Sequence, residues 1–181
     1  MNLFLLDINY TMENTLIESL KPYIDSLDSY SEEQFSFKQS PDIWSLAQMY
    51  EHIQASGFVF FLANINRCLE QRKGQLGGTP SEAGYVILKN NGFPLNQKFK
   101  RPDTDVNPII VGNSLSYYKE GFSKLKEALL STIPAIEKDA GEYRTNHFYF
   151  GMLNAKEWFL NTEFHFRHHL TQKAELESYL K

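Results

Sequence analysis

Apolar residues in four separate stretches of this chain recur at steps of three and four, a period that fits helices and not strands. In TMENTLIESLKPYIDSLDSY, residues Leu16, Ile17, Leu20, Tyr23, Ile24 and Leu27 make one stripe, which predicts a first helix with a single buried face. Pro22 lies inside it. Proline has no N–H and crowds the carbonyl four residues back, so the helix is expected to kink there or begin again.

The second stretch, PDIWSLAQMYEHIQASGFVFFLANINRCLEQRK, announces its own start. Ser45 and Gln48 stand as S-x-x-Q, a capping box, and Trp44 and Met49 occupy the two positions of a hydrophobic staple. From Leu46 to about Cys68 there is no proline, and Gly57 is tolerable in a long buried helix. In GNSLSYYKEGFSKLKEALLSTIP, Leu115, Tyr118, Phe122, Leu125 and Leu129 line one face of a third helix that should end just before Pro134. A polar connector, EKDAGEYRTNHFYFGML, then leads to a second cap at Asn154 and Glu157, with Leu153 and Trp158 as its staple. The fourth helix should run from about Ala155 almost to the C-terminus.

Four such helices, with no convincing period-two alternation elsewhere, predict an all-α four-helix bundle. At 181 residues and 42% hydrophobic, the chain suits one domain spanning residues 1–181. The second and third helices are separated by Lys73–Val111, rich in glycine, proline and asparagine, in which only YVILK could form a short strand or helix. Loops of that length tend to cover a site or to be mobile.

Net charge is −4 with acids and bases interspersed, so no basic field exists to engage nucleic acid. The opening MNLFLLDINYTMEN has no basic run before its apolar patch, and Asp7 interrupts that patch too early for a signal peptide or a spanning helix. Those features, with one cysteine that has no internal partner for a disulfide, lead us to expect a cytoplasmic protein with no membrane association.

The chemistry-bearing residues concentrate in WFLNTEFHFRHHLTQK, which holds three of the five histidines. Helical steps align Trp158, Thr162, His165, His169, Gln172 and Leu176, so two imidazoles share one face with Cβ atoms roughly 6 Å apart. His168 is turned away by about 100°. Two histidines do not hold a transition metal tightly, and His52, followed by the small Ala55 and Ser56, is the natural third donor from a facing helix. The spacing alone leaves a second reading open, in which these are hydrogen-bonded polar residues of a crowded helix. His147 reads as a turn or pocket-rim residue. Cys68, about 24 Å along the axis from His52 and ~160° around it, cannot share an ion with it and reads as a buried, inert thiol. Glu51 and Glu163 are offset from the histidine faces and read as solvated or edge-packing.

In order and spacing, W-S-x-x-Q-x-x-x-H from Trp44 to His52, H-F-Y-F-G-x-L from His147, E-W at Glu157 and Trp158, and H-x-x-H-H-x-x-Q from His165 to Gln172 resemble the DinB/YfiT-like metalloenzymes over nearly the whole chain. The resemblance implies a bundle of up-down-down-up type holding one divalent transition metal, zinc, nickel, iron or manganese, through His52, His165 and His169. It implies small-molecule chemistry, since some relatives transfer a low-molecular-weight thiol to electrophiles and others are hydrolase-like. Phe148 departs from the proline that relatives often carry after the connector histidine. Tyr50, Tyr143 and Tyr149 are candidate pocket hydroxyls, and Gln172 a candidate partner for a ligating imidazole. The alternatives are a non-catalytic metal-binding or stress-associated bundle and an interaction module that forms a homodimer.

Overall fold

The computed structural model describes residues 3–94 and 110–180. Four long helical runs pack around one apolar core: α1 (Leu3–Ser26), a run made of α3 (Leu46–Ser56), a π-helical segment (Gly57–Leu62) and α4 (Ala63–Leu69), then α6 (Leu115–Ile136) and α7 (Ala155–Ser178). Two short helices, α2 (Glu32–Ser36) and α5 (Glu82–Lys89), lie in the connections. Helix α1 packs on α6 and α7, and the α3–α4 run packs on the same two. The predicted stripe of α1 is the buried one: Leu16, Leu20, Tyr23 and Leu27 are enclosed.

Both predicted capping boxes form. Ser45 Oγ accepts from the Gln48 N–H at 3.2 Å while Gln48 Oε1 accepts from Ser45 N–H at 3.1 Å. Asn154 and Glu157 exchange the same pair at 2.9 Å each. Glu157 Oε2 also receives Arg144 Nη1 at 2.7 Å, so the start of α7 is tied to the segment before it. Pro22 does not divide α1, which runs one further turn to Ser26; burial of Tyr23 and Leu27 keeps the chain on course past the missing N–H. Nor does Pro134 lie beyond the third helix. It falls within α6, whose last turn continues to Ile136 because Ile133 and Ile136 are both buried.

The bundle carries a small sheet that helical periodicity does not anticipate. Strands β1 (Gln75–Leu76), β2 (Tyr143–His147) and β3 (Gly151–Leu153) lie in that order, antiparallel, with Thr145 opposite Leu153 and His147 opposite Gly151. The expected polar connector is therefore a hairpin. Its inward residues are Thr145 and His147, so the alternation of burial is real but is written in polar side chains. His147 Nδ1 accepts from the N–H groups of Tyr149 and Phe150 at 3.1 and 3.2 Å, holding the turn, as the sequence reading allowed. Gly151 has φ +74°, and a Cβ there would stand 2.5 Å from the Ser81 nitrogen.

In the long connection, YVILK belongs to α5, which Ser81 caps through the Gly84 N–H at 3.1 Å. Residues 95–109 of that connection lie outside the described residues. No helix among the described residues is long and apolar enough to cross a membrane.

Gly57 opens the π-helical segment and faces Leu125 of α6. A Cβ at this position would fall 2.6 Å from Leu125 Cδ2, inside a side chain with no exposure of its own. Although alanine is the better helix former by about 1 kcal/mol, Gly57→Ala is expected to destabilise the protein by about 1–3 kcal/mol through overpacking. Chemical denaturation of Gly57→Ala, Leu125→Ala and the double variant checks this: in the Leu125→Ala background the glycine substitution should lose its cost.

Candidate metal centre

His52 sits two turns into α3, and its position is set by the Ser45 box that begins that helix. His165 and His169 stand one turn apart on α7, whose phase is set by the Asn154 box. The Nε2 atoms of all three rings meet: His52 to His165, His52 to His169 and His165 to His169 are each 3.2 Å. Among the described residues this is the one group of three or more histidine, cysteine, aspartate or glutamate side chains that shares a centre.

Burial holds the imidazoles neutral. Desolvation lowers His52 to about 4 and His169 to about 3, and His165 is pushed well below the ordinary histidine value by burial and then by its histidine neighbours. Gln172 Oε1 lies 2.8 Å from His169 Nδ1, which places the ring proton on Nδ1 and leaves the Nε2 lone pair facing the centre. Gln172 thus has the place the sequence suggested.

Each Nε2 bears either a proton or a lone pair, so at least two of the three are alike and oppose one another at 3.2 Å. A cation at the centre removes that conflict. The triangle has the right size: nitrogens 3.2 Å apart can all stand at the usual metal–imidazole distance of ~2.1 Å from one ion. The donor set fits a transition metal.

Around this triangle, the Trp44 ring stands 5.5 Å from that of His52 and the Phe61 ring 4.9 Å from that of His165. Trp44 was legible as a staple but not as a wall. Phe61 gave no signal: nine residues from His52 on a regular α-helix would place it ~180° away, and the wider turn of the π-helical segment lies between the two. A cleft of about 240 Å³ lies on the outer side of Trp44 and Gln172, with Asp42, Ile43, Glu175 and Leu176 completing its lining and none of the three histidines in it.

The remaining candidates are engaged elsewhere. His168 packs on Phe93, ring centres 5.3 Å apart. Cys68 is fully buried, 3.5 Å from Thr145 Oγ1 and from the Leu153 carbonyl, and burial raises its pKa. Glu51 accepts from the Tyr118 hydroxyl at 2.9 Å. Glu163, expected to be solvated or packed at an edge, is instead buried, and its carboxylate is taken by Arg167, which also donates to the Asn91 carbonyl at 2.6 Å. Tyr50 is no pocket hydroxyl: it is enclosed in the core and donates to the Tyr23 carbonyl at 2.9 Å. Tyr143 accepts from the Gly74 N–H at 2.9 Å, and Tyr149 lies in the hairpin turn.

The model of the DinB superfamily matches residues 16–172, which include all three histidines and both capping boxes. The chain belongs to the DinB superfamily. No curated protein and no solved structure matches it. DinB superfamily members are metal-binding, and the three-histidine group of this member is one that could bind a metal.

The depressed histidine values fix a pH dependence. An unfolded imidazole takes up its proton near pH 6.5, whereas the folded ones stay neutral to about pH 4 or below. The unfolded state therefore binds more protons in that window, and stability falls as pH falls. Thermal melts of metal-free protein should be flat above about pH 6.5 and then lose about 1 kcal/mol per buried imidazole by pH 5.5. His169→Gln should shallow that slope.

Proposed function

We propose that this DinB-superfamily protein is a divalent-metal-dependent enzyme. In this reading His52, His165 and His169 hold one transition metal, and a low-molecular-weight thiol or water is activated there for transfer to, or hydrolysis of, a small electrophile. The observation that carries the reading is the convergence of three neutral Nε2 atoms, mutually 3.2 Å apart.

When bound, the ion would supply Lewis acidity, undiminished by any charged ligand, and so favour the deprotonated form of a thiol or water at its open face. Zinc, nickel, iron and manganese all suit the donor set. The chain's own residues do the positioning. Gln172 keeps the His169 proton on Nδ1, and Trp44 and Phe61 close apolar surfaces against His52 and His165. Glu51 and Glu163 are committed to partners outside the cluster and have no part in this scheme. A reducing, thiol-rich cytoplasm suits such a reaction, and the enclosed thiol of Cys68 suits that compartment.

Elemental analysis of untagged protein beside His165→Ala/His169→Ala tests the site. About one equivalent of a transition metal in the parent, and none in a variant that keeps its helical circular dichroism, is the expected result. Thiol consumption with model electrophiles and ester hydrolysis should then vanish in His52→Ala. A parent that stays metal-free after reconstitution with zinc, nickel, iron and manganese would remove the site. Metal without turnover would leave a non-catalytic metal-binding bundle, and a stable homodimer in scattering measurements would turn attention to an interaction role.

A further inference from the structure

Three buried polar groups lie along one stripe of α7 and, among the described residues, have no hydrogen-bond partner: Trp158 Nε1, both heteroatoms of the Asn161 amide, and His165 Nδ1. Trp158 and Asn161 have no exposure at all. An unpaired amide in such a place costs roughly 1–3 kcal/mol, so unpaired groups on one enclosed face call for a partner. The spacing i, i+3, i+7 puts the three on one face, with Asn161 and His165 one turn apart and their Cβ atoms about 6 Å from each other. Helical side chains lean toward the N-terminus, so the His165 ring lies over the turn that carries Asn161. The face is closed by the π-helical segment: Phe60 and Phe61 pack against Trp158 at 5.2 and 6.3 Å, and Phe61 covers His165.

None of these groups bonds to another, and together they offer the donors and acceptors in the number that an enclosed water needs. We propose that Asn161 is a positioning residue for His165, acting through one enclosed water. That water accepts from Trp158 Nε1–H and from His165 Nδ1–H and donates to Asn161 Oδ1. The Asn161 oxygen orients the water so that its lone pairs face the imidazole. The His165 proton is then held on Nδ1, and its Nε2 lone pair points to the centre shared with His52 and His169. His165 thereby acquires through water what His169 has directly from Gln172.

The proposal rests on the metal-centre reading for its purpose, but its first test does not use metal. In metal-free protein at pH 7, long-range proton–nitrogen correlation should show His165 as the Nδ1–H tautomer. An Nε2–H tautomer in the parent would overturn the proposal. Asn161→Leu, which fills the same space without an acceptor, should shift His165 toward the Nε2–H form, whereas Asn161→Ser, which keeps an acceptor and leaves room for the water, should retain Nδ1–H. Metal affinity measured by competition with a chromophoric chelator should fall about 10- to 100-fold in Asn161→Leu and recover in the serine variant. A folded leucine variant with unchanged tautomer and unchanged affinity would overturn the assignment. A parent that binds no metal would end the metal reading alone, since the tautomer is read on the metal-free protein.

Discussion

The placing of the imidazoles depends on how α7 begins. The Asn154–Glu157 box fixes the first turn, Arg144 anchors the same carboxylate to β2, and from there the helix is regular to Ser178. A shift of one residue in that start would rotate His165 and His169 by about 100° and put His168 in their place. The Ser45–Gln48 box does the same for His52, and Gln48 is further held by its amide donating to the Ile110 carbonyl at 2.8 Å. Two caps on two helices therefore determine a three-nitrogen centre in which none of the capping side chains takes part.

Much of this is legible in the chain because the signals are local. Caps, staples and three-four periodicity are written in neighbouring residues, and they located the four long helices, the three histidines and the Gln172 partner. What the sequence hid arose from tertiary contact. The hairpin escaped because its buried positions are Thr145 and His147, polar residues that find partners in the turn and at Cys68. Glu163 looked like a surface or edge acid, yet it is buried because Arg167, one turn along the same face, bridges it to the end of α5.

The π-helical segment is the clearest case of structure beyond pattern. Nothing in GFVFFL distinguishes it from an ordinary apolar helix, and an α-helical projection would send Phe61 away from the imidazoles. The wider turn lies where Gly57 lets the helix approach Leu125, and it redirects the aromatic residues that follow so that they cover α7. Close approach on one side and aromatic cover on the other are met by one local change of winding, a device frequent beside functional sites.

The enclosure of Cys68 bears on what the protein can survive. Electrophiles seek soft, exposed sulfur, and this chain's only thiol lies within the core against Thr145 and the Leu153 carbonyl, its ionisation disfavoured by burial. A reagent able to alkylate small thiols would find no competing cysteine on this surface.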